Sequence, residues 1–128
     1  MEALVNYTLI TNEVRLINHH INGESFKVDP VIHRKIESID ETKSAVTYVL
    51  EIKNTPENTF PIDILVSLTG IFDISKLEKK DVEEFLKIQT CQILFPQIRS
   101  IVTSLTSSAL MHPILLPMVD AKKLFGDK

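Results

Sequence analysis

AVTYVLEIKNTPENTFPIDILVSLTGIFDI, residues 45–74, decides the architecture. Val46, Tyr48, Leu50 and Ile52 recur at every second position, with Thr47, Glu51 and Lys53 between them. After a polar stretch at 54–59 that contains Pro56, the alternation resumes as Phe60, Ile62, Ile64, Val66 and Leu68, and runs on to Gly70-Ile71-Phe72. Successive side chains of a strand point to opposite faces, so a sustained period of two turns one face of each segment to a core. Two antiparallel strands joined by a short turn, covered on one side, are the expectation.

Further towards the N-terminus, Leu4, Asn6, Thr8 and Ile10 alternate against Val5, Tyr7 and Leu9, and the pattern resumes at Val14 and Leu16. The interruption at Thr11-Asn12-Glu13 predicts a bulge or bend. Asn22-Gly23 is a strong turn signal. A second strand follows over about 26–39, where Pro30 fits only an edge or a bulge. Residues 40–43, Asp-Glu-Thr-Lys, turn the chain into the segment first quoted. The four strands together predict a meander-like antiparallel sheet.

Beyond residue 74 the period changes. Ser75 and Glu78 have the spacing of a capping box, which predicts a helix start there. Val82, Phe85 and Leu86 line one side of that helix, and Lys79, Lys80, Glu83, Glu84 and Lys87 the other, a solvated charged face. A proline within a continuous helix costs about 3 kcal/mol, whereas one in the first turn costs little. The first helix is therefore expected to end before Leu94, and a second to span about 93–108 with Pro96 in its opening turn. Ile98, Ile101, Val102 and Leu105 form its apolar face. Ser100, Thr103, Ser104 and Ser107 form the opposite face, small and uncharged where a solvated helix would carry Lys and Glu. Such a face suits close packing against another helix, the symmetry mate included. The reading is one α+β domain, 1–128, with the sheet in 1–74 and helices plus an apolar loop in 75–128.

The second informative stretch is LFPQIRSIVTSLTSSALMHPILLPMVDAKKLF, residues 94–125. Past the helix it crowds Met111, Ile114, Leu115, Leu116, Met118 and Val119 into a connection framed by prolines. Two readings stand side by side. The loop packs over the chain's own sheet and completes the core, or it is an adaptable surface that receives other polypeptides, for which flexible thioether side chains are suited.

Composition narrows the field. At 128 residues, 44% hydrophobic and 24% charged, the chain has ordinary globular make-up. No apolar run reaches the length of a membrane span, and the start, Met1-Glu2-Ala3-Leu4, has no basic leader region. Cys91 is the one cysteine, which excludes an internal disulfide and suits a reducing cytosol. A net charge of −3 and the absence of tryptophan offer nucleic acid neither a basic footprint nor a stacking platform. Catalytic chemistry finds little to use. Cys91 has no motif linking it to His19, His20, His33 or His112, and reads as a small buried hydrophobe. His19 and His20 point to opposite faces if they lie on a strand, so they cannot readily share a metal ion. With only Gly23, Gly70 and Gly126, no phosphate loop is available. Neither an enzyme nor a metal or cofactor protein is the expectation.

Taken together, three motifs resemble one family. Gly70-Ile71-Phe72-Asp73-Ile74, then a helix, then Ile93-Leu94-Phe95-Pro96-Gln97-Ile98-Arg99, is similar in order and spacing to the SecB protein-export chaperones. Leu116-Pro117-Met118-Val119-Asp120 with Leu124-Phe125 resembles that family's proline-containing loop and last helix. The motifs cover about residues 60–125; Ser108-Ala109 and Ala121 depart from the family's usual glycine and aromatic. The resemblance implies an ATP-independent holdase, cytoplasmic and cofactor-free, assembled as a dimer of dimers. Its partners would be unfolded polypeptides and preproteins, with the SecA motor as a further contact. It places client anchors at Ile114, Leu115, Leu116, Met118, Val119, Leu124 and Phe125, and the oligomer interface at Ser100, Thr103, Ser104 and Ser107. The alternatives are a dedicated chaperone of one partner such as an antitoxin, suggested by the short end after Asp120, and an oligomeric scaffold whose loop is buried in its own assembly.

Overall fold

The computed structural model describes residues 5–23, 26–109, 114–117 and 125. Four strands, β1 (Tyr7–Asn18), β2 (Val31–Ser38), β3 (Lys43–Ile52) and β4 (Ile62–Asp73), form one antiparallel sheet in the order β1-β4-β3-β2. Helix α1 (Lys79–Glu84), a π-helical turn (Phe85–Gln89) and α2 (Thr90–Ser108) follow.

The expected α+β layout, a four-stranded antiparallel sheet followed by helix, is what the chain adopts, and the meander is confined to β2–β4. β1 does not pair with β2 but lies against β4 at the far edge, which gives a Greek-key order. Asn22-Gly23 is therefore part of a long connection rather than a hairpin turn. That connection is pinned at the end of the sheet: the His19 amide donates to the Pro61 carbonyl (2.8 Å), the Asn58 side-chain amide donates to the Lys27 carbonyl (3.1 Å), and Phe26 meets Phe60 edge-on. Local turn chemistry acts between neighbouring strands, but it cannot choose between the two edges of a sheet.

The β2–β3 turn forms where the residues predict. The Asp40 carboxylate accepts from the Thr42 amide (2.8 Å), the Thr42 hydroxyl (2.9 Å) and the Lys43 amide (2.9 Å). Those bonds hold its carboxyl below the usual carboxylate range. The bulge in β1 falls at Asn12, where the register against β4 shifts. Its side-chain amide donates to Thr69 (2.8 Å) and Ser67 (3.2 Å), and Thr69 in turn bonds Thr47 (2.8 Å), so a line of polar side chains ties three strands together.

One face of the sheet carries the core. Val46, Tyr48, Leu50 and Ile52 on β3 and Ile62, Ile64, Val66, Leu68 and Phe72 on β4 are buried, the period-two residues of the sequence. Gly70 continues this face because Phe72 folds back over it: a Cβ there would stand 2.6 Å from the Phe72 ring. Against the face lie Thr90, Cys91, Leu94, Phe95, Ile98, Val102 and Thr106 of α2, three or four residues apart.

Two helix expectations are corrected. Ser75 does not cap. Its hydroxyl (2.6 Å) and amide (3.0 Å) both donate to the Asp73 carboxylate, which turns the chain there and holds Ser75 away from the helix, and the helix starts after Glu78 with no side-chain cap. Nor does the helix break before Leu94, because Pro96 lies inside α2. Burial of Leu94, Phe95 and Ile98 on either side of it stabilises by about 1.5–3 kcal/mol each, enough to outweigh one lost backbone bond. The irregularity comes earlier, in the π turn. There the Thr90 amide reaches the Phe85 carbonyl, while the Thr90 hydroxyl takes the Leu86 carbonyl (2.7 Å).

Candidate functional site

The apolar loop reaches the site by running back along α2. The Thr103 hydroxyl donates to the Ile114 carbonyl (2.9 Å), and the Arg99 side chain donates to the Leu116 carbonyl through Nε (2.8 Å). The Ile114 amide donates to the Thr106 hydroxyl (2.9 Å), which itself donates to the Val102 carbonyl (2.9 Å). Three helical side chains thus hold the backbone of an extended segment, in the order 106, 103, 99 against 114 to 116. Alternate side chains then point in and out. Ile114 is half-buried and Leu116 is 5% exposed, joined to the core, while Leu115 stands 77% exposed.

Beside Leu115 lies a shallow groove of about 310 Å³, floored by Pro96, Arg99, Ser100, Thr103 and Ser104 and walled by Leu115 and Leu116. Ser100, Ser104 and Ser107 are exposed on α2, whereas Thr103 is engaged by the loop. The face expected to meet another helix is therefore divided between the chain's own loop and an open stripe. Of the expected anchors, Met118, Val119 and Leu124 lie outside the described residues.

Phe125 sits on the sheet, away from Leu115. Its ring meets Tyr48 edge-on, with centroids 5.4 Å apart at 83°, and the Arg34 guanidinium lies 4.3 Å above the ring centroid. Arg34 and Tyr48 are directly opposed on β2 and β3. Arg34 is also tied to the π turn, its NH1 donating to the Lys87 carbonyl (3.1 Å). Tyr48 is fully buried beside Cys91 and Thr90; its hydroxyl has no well-formed hydrogen bond among the described residues, and burial holds the phenol well above its ordinary value.

Sequence reading missed Arg34, Tyr48, Arg99 and Thr106 as parts of the site. A signal did exist for Arg34. It falls between Ile32 and Ile36 on the inward register of β2, where a cation needs a partner. Backbone-holding by Arg99 and Thr106 has no such signal, because nothing in periodicity says which helical hydroxyl a returning loop will meet.

A second apolar surface lies on β1, at the sheet edge. Tyr7 and Val14 on the core side and Ile10 and Ile17 on the opposite side are 41–49% exposed, and among the described residues the outer edge of the strand pairs with nothing. No catalytic arrangement is found among the described residues. Cys91 is buried, His19 pairs with Asp63 (3.0 Å), and no group of three His, Cys, Asp or Glu among the described residues is placed to share an ion. No described helix is long and apolar enough to cross a membrane.

Comparison with known proteins finds a matching family model, curated relatives and a similar fold. The sequence model described as "SecB: Preprotein translocase subunit SecB" matches residues 18–128. A "Protein-export protein SecB" from Nitrosospira multiformis is 29% identical over 108 residues, 83% of this chain and 67% of that protein. Another, from Aromatoleum aromaticum, is 24% identical over 106 residues, 82% of this chain and 67% of that protein. The fold is similar to that of the Mycobacterium tuberculosis Rv1957 SecB-like chaperone, solved in complex with a ChAD peptide from the Rv1956 HigA1 antitoxin. That match has a TM-score of 0.69 at 13% identity and covers 90% of this chain and 87% of that one.

Proposed function

The chain belongs to the SecB family, a family of chaperones rather than enzymes, and from that premise we propose that it holds non-native polypeptides without nucleotide. The observation that carries the reading is Leu115, a large aliphatic side chain left 77% exposed beside an open groove although the loop backbone is held on both sides of it, at Ile114 and Leu116. A loop that served only to cover the core would turn all its hydrophobes inward. Ile114 and Leu116 support the wall from behind.

One such groove binds weakly. Each buried apolar anchor contributes about 1.5–3 kcal/mol, against an association cost of about 4–15 kcal/mol. Useful affinity for a long client therefore comes from several grooves acting together. A dimer of dimers supplies them, with the exposed Ser100, Ser104 and Ser107 stripe at a helix–helix contact and the β1 edge at a strand–strand contact. Within this proposal the protein works in the cytoplasm on unfolded or preprotein chains, with SecA as the receiver of the client.

A second reading narrows the client to one partner. The Mycobacterium tuberculosis chaperone of similar fold was solved with an antitoxin peptide, and a groove with one exposed anchor suits a single motif. Sizing by light scattering, with and without a reduced, unfolded test protein, separates the cases. Co-migration with that protein supports general holding. Binding restricted to one native partner supports the narrow reading, and the absence of any complex with non-native chains sinks the holdase.

A further inference from the structure

Ile114 is held through both of its main-chain groups. Its amide donates to the Thr106 hydroxyl (2.9 Å) and its carbonyl accepts from the Thr103 hydroxyl (2.9 Å). In an antiparallel ladder one residue exchanges the same two bonds with the residue opposite. Here two threonines on one helix stand in for that partner. The clamp has a fixed polarity. Thr106 is fully buried and gives its own proton to the helix carbonyls of Val102 (2.9 Å) and Thr103 (3.1 Å), so towards the loop it only accepts. Thr103 supplies the donor. A residue therefore enters with its N–H towards 106 and its C=O towards 103, which makes the loop run antiparallel to α2. Arg99 keeps the same direction by reaching the Leu116 carbonyl (2.8 Å).

The sequence limits what can enter. Pro113 and Pro117 have no N–H and cannot satisfy Thr106, so between them only 114, 115 and 116 qualify. Side chains of an extended segment alternate, and entry of Leu115 would turn Leu115 in and its two neighbours out. Entry of Leu116 would keep the faces but slide the segment by about 6–7 Å along α2. That slide carries Leu115 away from Pro96 and Ser100 on the groove floor. We propose that Thr103 and Thr106 are positioning residues of the client surface, locking the loop in the one register that sets Leu115 outward beside the groove. The inference rests on the polypeptide-holding reading and adds what fixes its anchor. Thr106, being buried, acts on a client only through the loop.

The test reads the register by thiol accessibility. In a chain carrying Cys91→Ala, Leu115→Cys and Leu116→Cys are made separately and their reaction with a maleimide dye is timed. With the clamp intact, position 115 is expected to react at least about tenfold faster than 116, because a buried thiol waits for local opening. Thr106→Val keeps the shape, removes the acceptor, and is expected to bring the two rates to within about threefold. Thr106→Ser, which keeps the hydroxyl, is expected to restore the contrast. Binding of an unstructured, leucine-rich peptide, followed by fluorescence anisotropy, is expected to weaken several-fold with Thr106→Val and to recover with Thr106→Ser. Thr103→Val, at the half-buried end of the clamp, carries the same test if valine at 106 prevents folding. Contrast kept by both valine variants, or lost without any change in peptide binding, overturns the inference and leaves the holdase standing. Contrast lost with no peptide bound by any of the proteins overturns the holdase and leaves only a structural clamp.

Discussion

Tyr48 shows how much one buried group settles. Its ring packs in the core and meets the Phe125 ring edge-on, yet its hydroxyl lies at Thr90 and Cys91 without a well-formed bond among the described residues. A buried hydroxyl without a partner costs stability, so Tyr48→Phe is expected to raise the unfolding free energy at neutral pH by about 1 kcal/mol. Alkali separates the two proteins. The folded phenol titrates above its ordinary value of 10.0 because burial disfavours the phenolate. A group with a raised folded value contributes stability that is fully present below the unfolded value and is lost as pH rises through the folded one. The unaltered protein should therefore lose stability above pH 10 faster than Tyr48→Phe, as read from urea denaturation at neutral and alkaline pH. Equal alkaline losses would show that the phenol is not shielded.

The second scale is that of elements, where the sequence was legible in some parts and silent in others. β3 and β4 could be read residue by residue, because burial on one face imposes a period that no local preference disturbs. The bulge at Asn12 was visible as a break in that period. The partner of β1 was not, since an edge strand looks the same whichever edge it takes. The helix boundaries also misled: Ser75 is held in a turn with Asp73, and tertiary burial carries α2 past Pro96. Pro96→Ala tests the latter directly. Restoring the amide that α2 lacks there is expected to raise stability by about 1–2 kcal/mol, part of the proline cost being offset by its smaller unfolded-state entropy. A loss of stability in denaturant titration would mean that the proline ring itself packs in a way the helix needs. For the candidate site, hydrophobicity in 111–119 announced the loop, but which residues face outward depended on Arg99, Thr103 and Thr106 gripping alternate backbone groups.

Across the whole molecule, the sheet has one face under α2 and two apolar zones outside it, the groove at Leu115 and the edge of β1. In the proposed reading the groove takes clients and the β1 edge joins protomers. Suppression of aggregation is the most direct check: a chemically unfolded protein diluted into equimolar chaperone without nucleotide, followed by light scattering, for the unaltered chain and for Leu115→Ser. The account predicts clear suppression by the unaltered chain and a several-fold weaker effect for Leu115→Ser at unchanged melting temperature. Scattering as high as in the absence of the chaperone would contradict it.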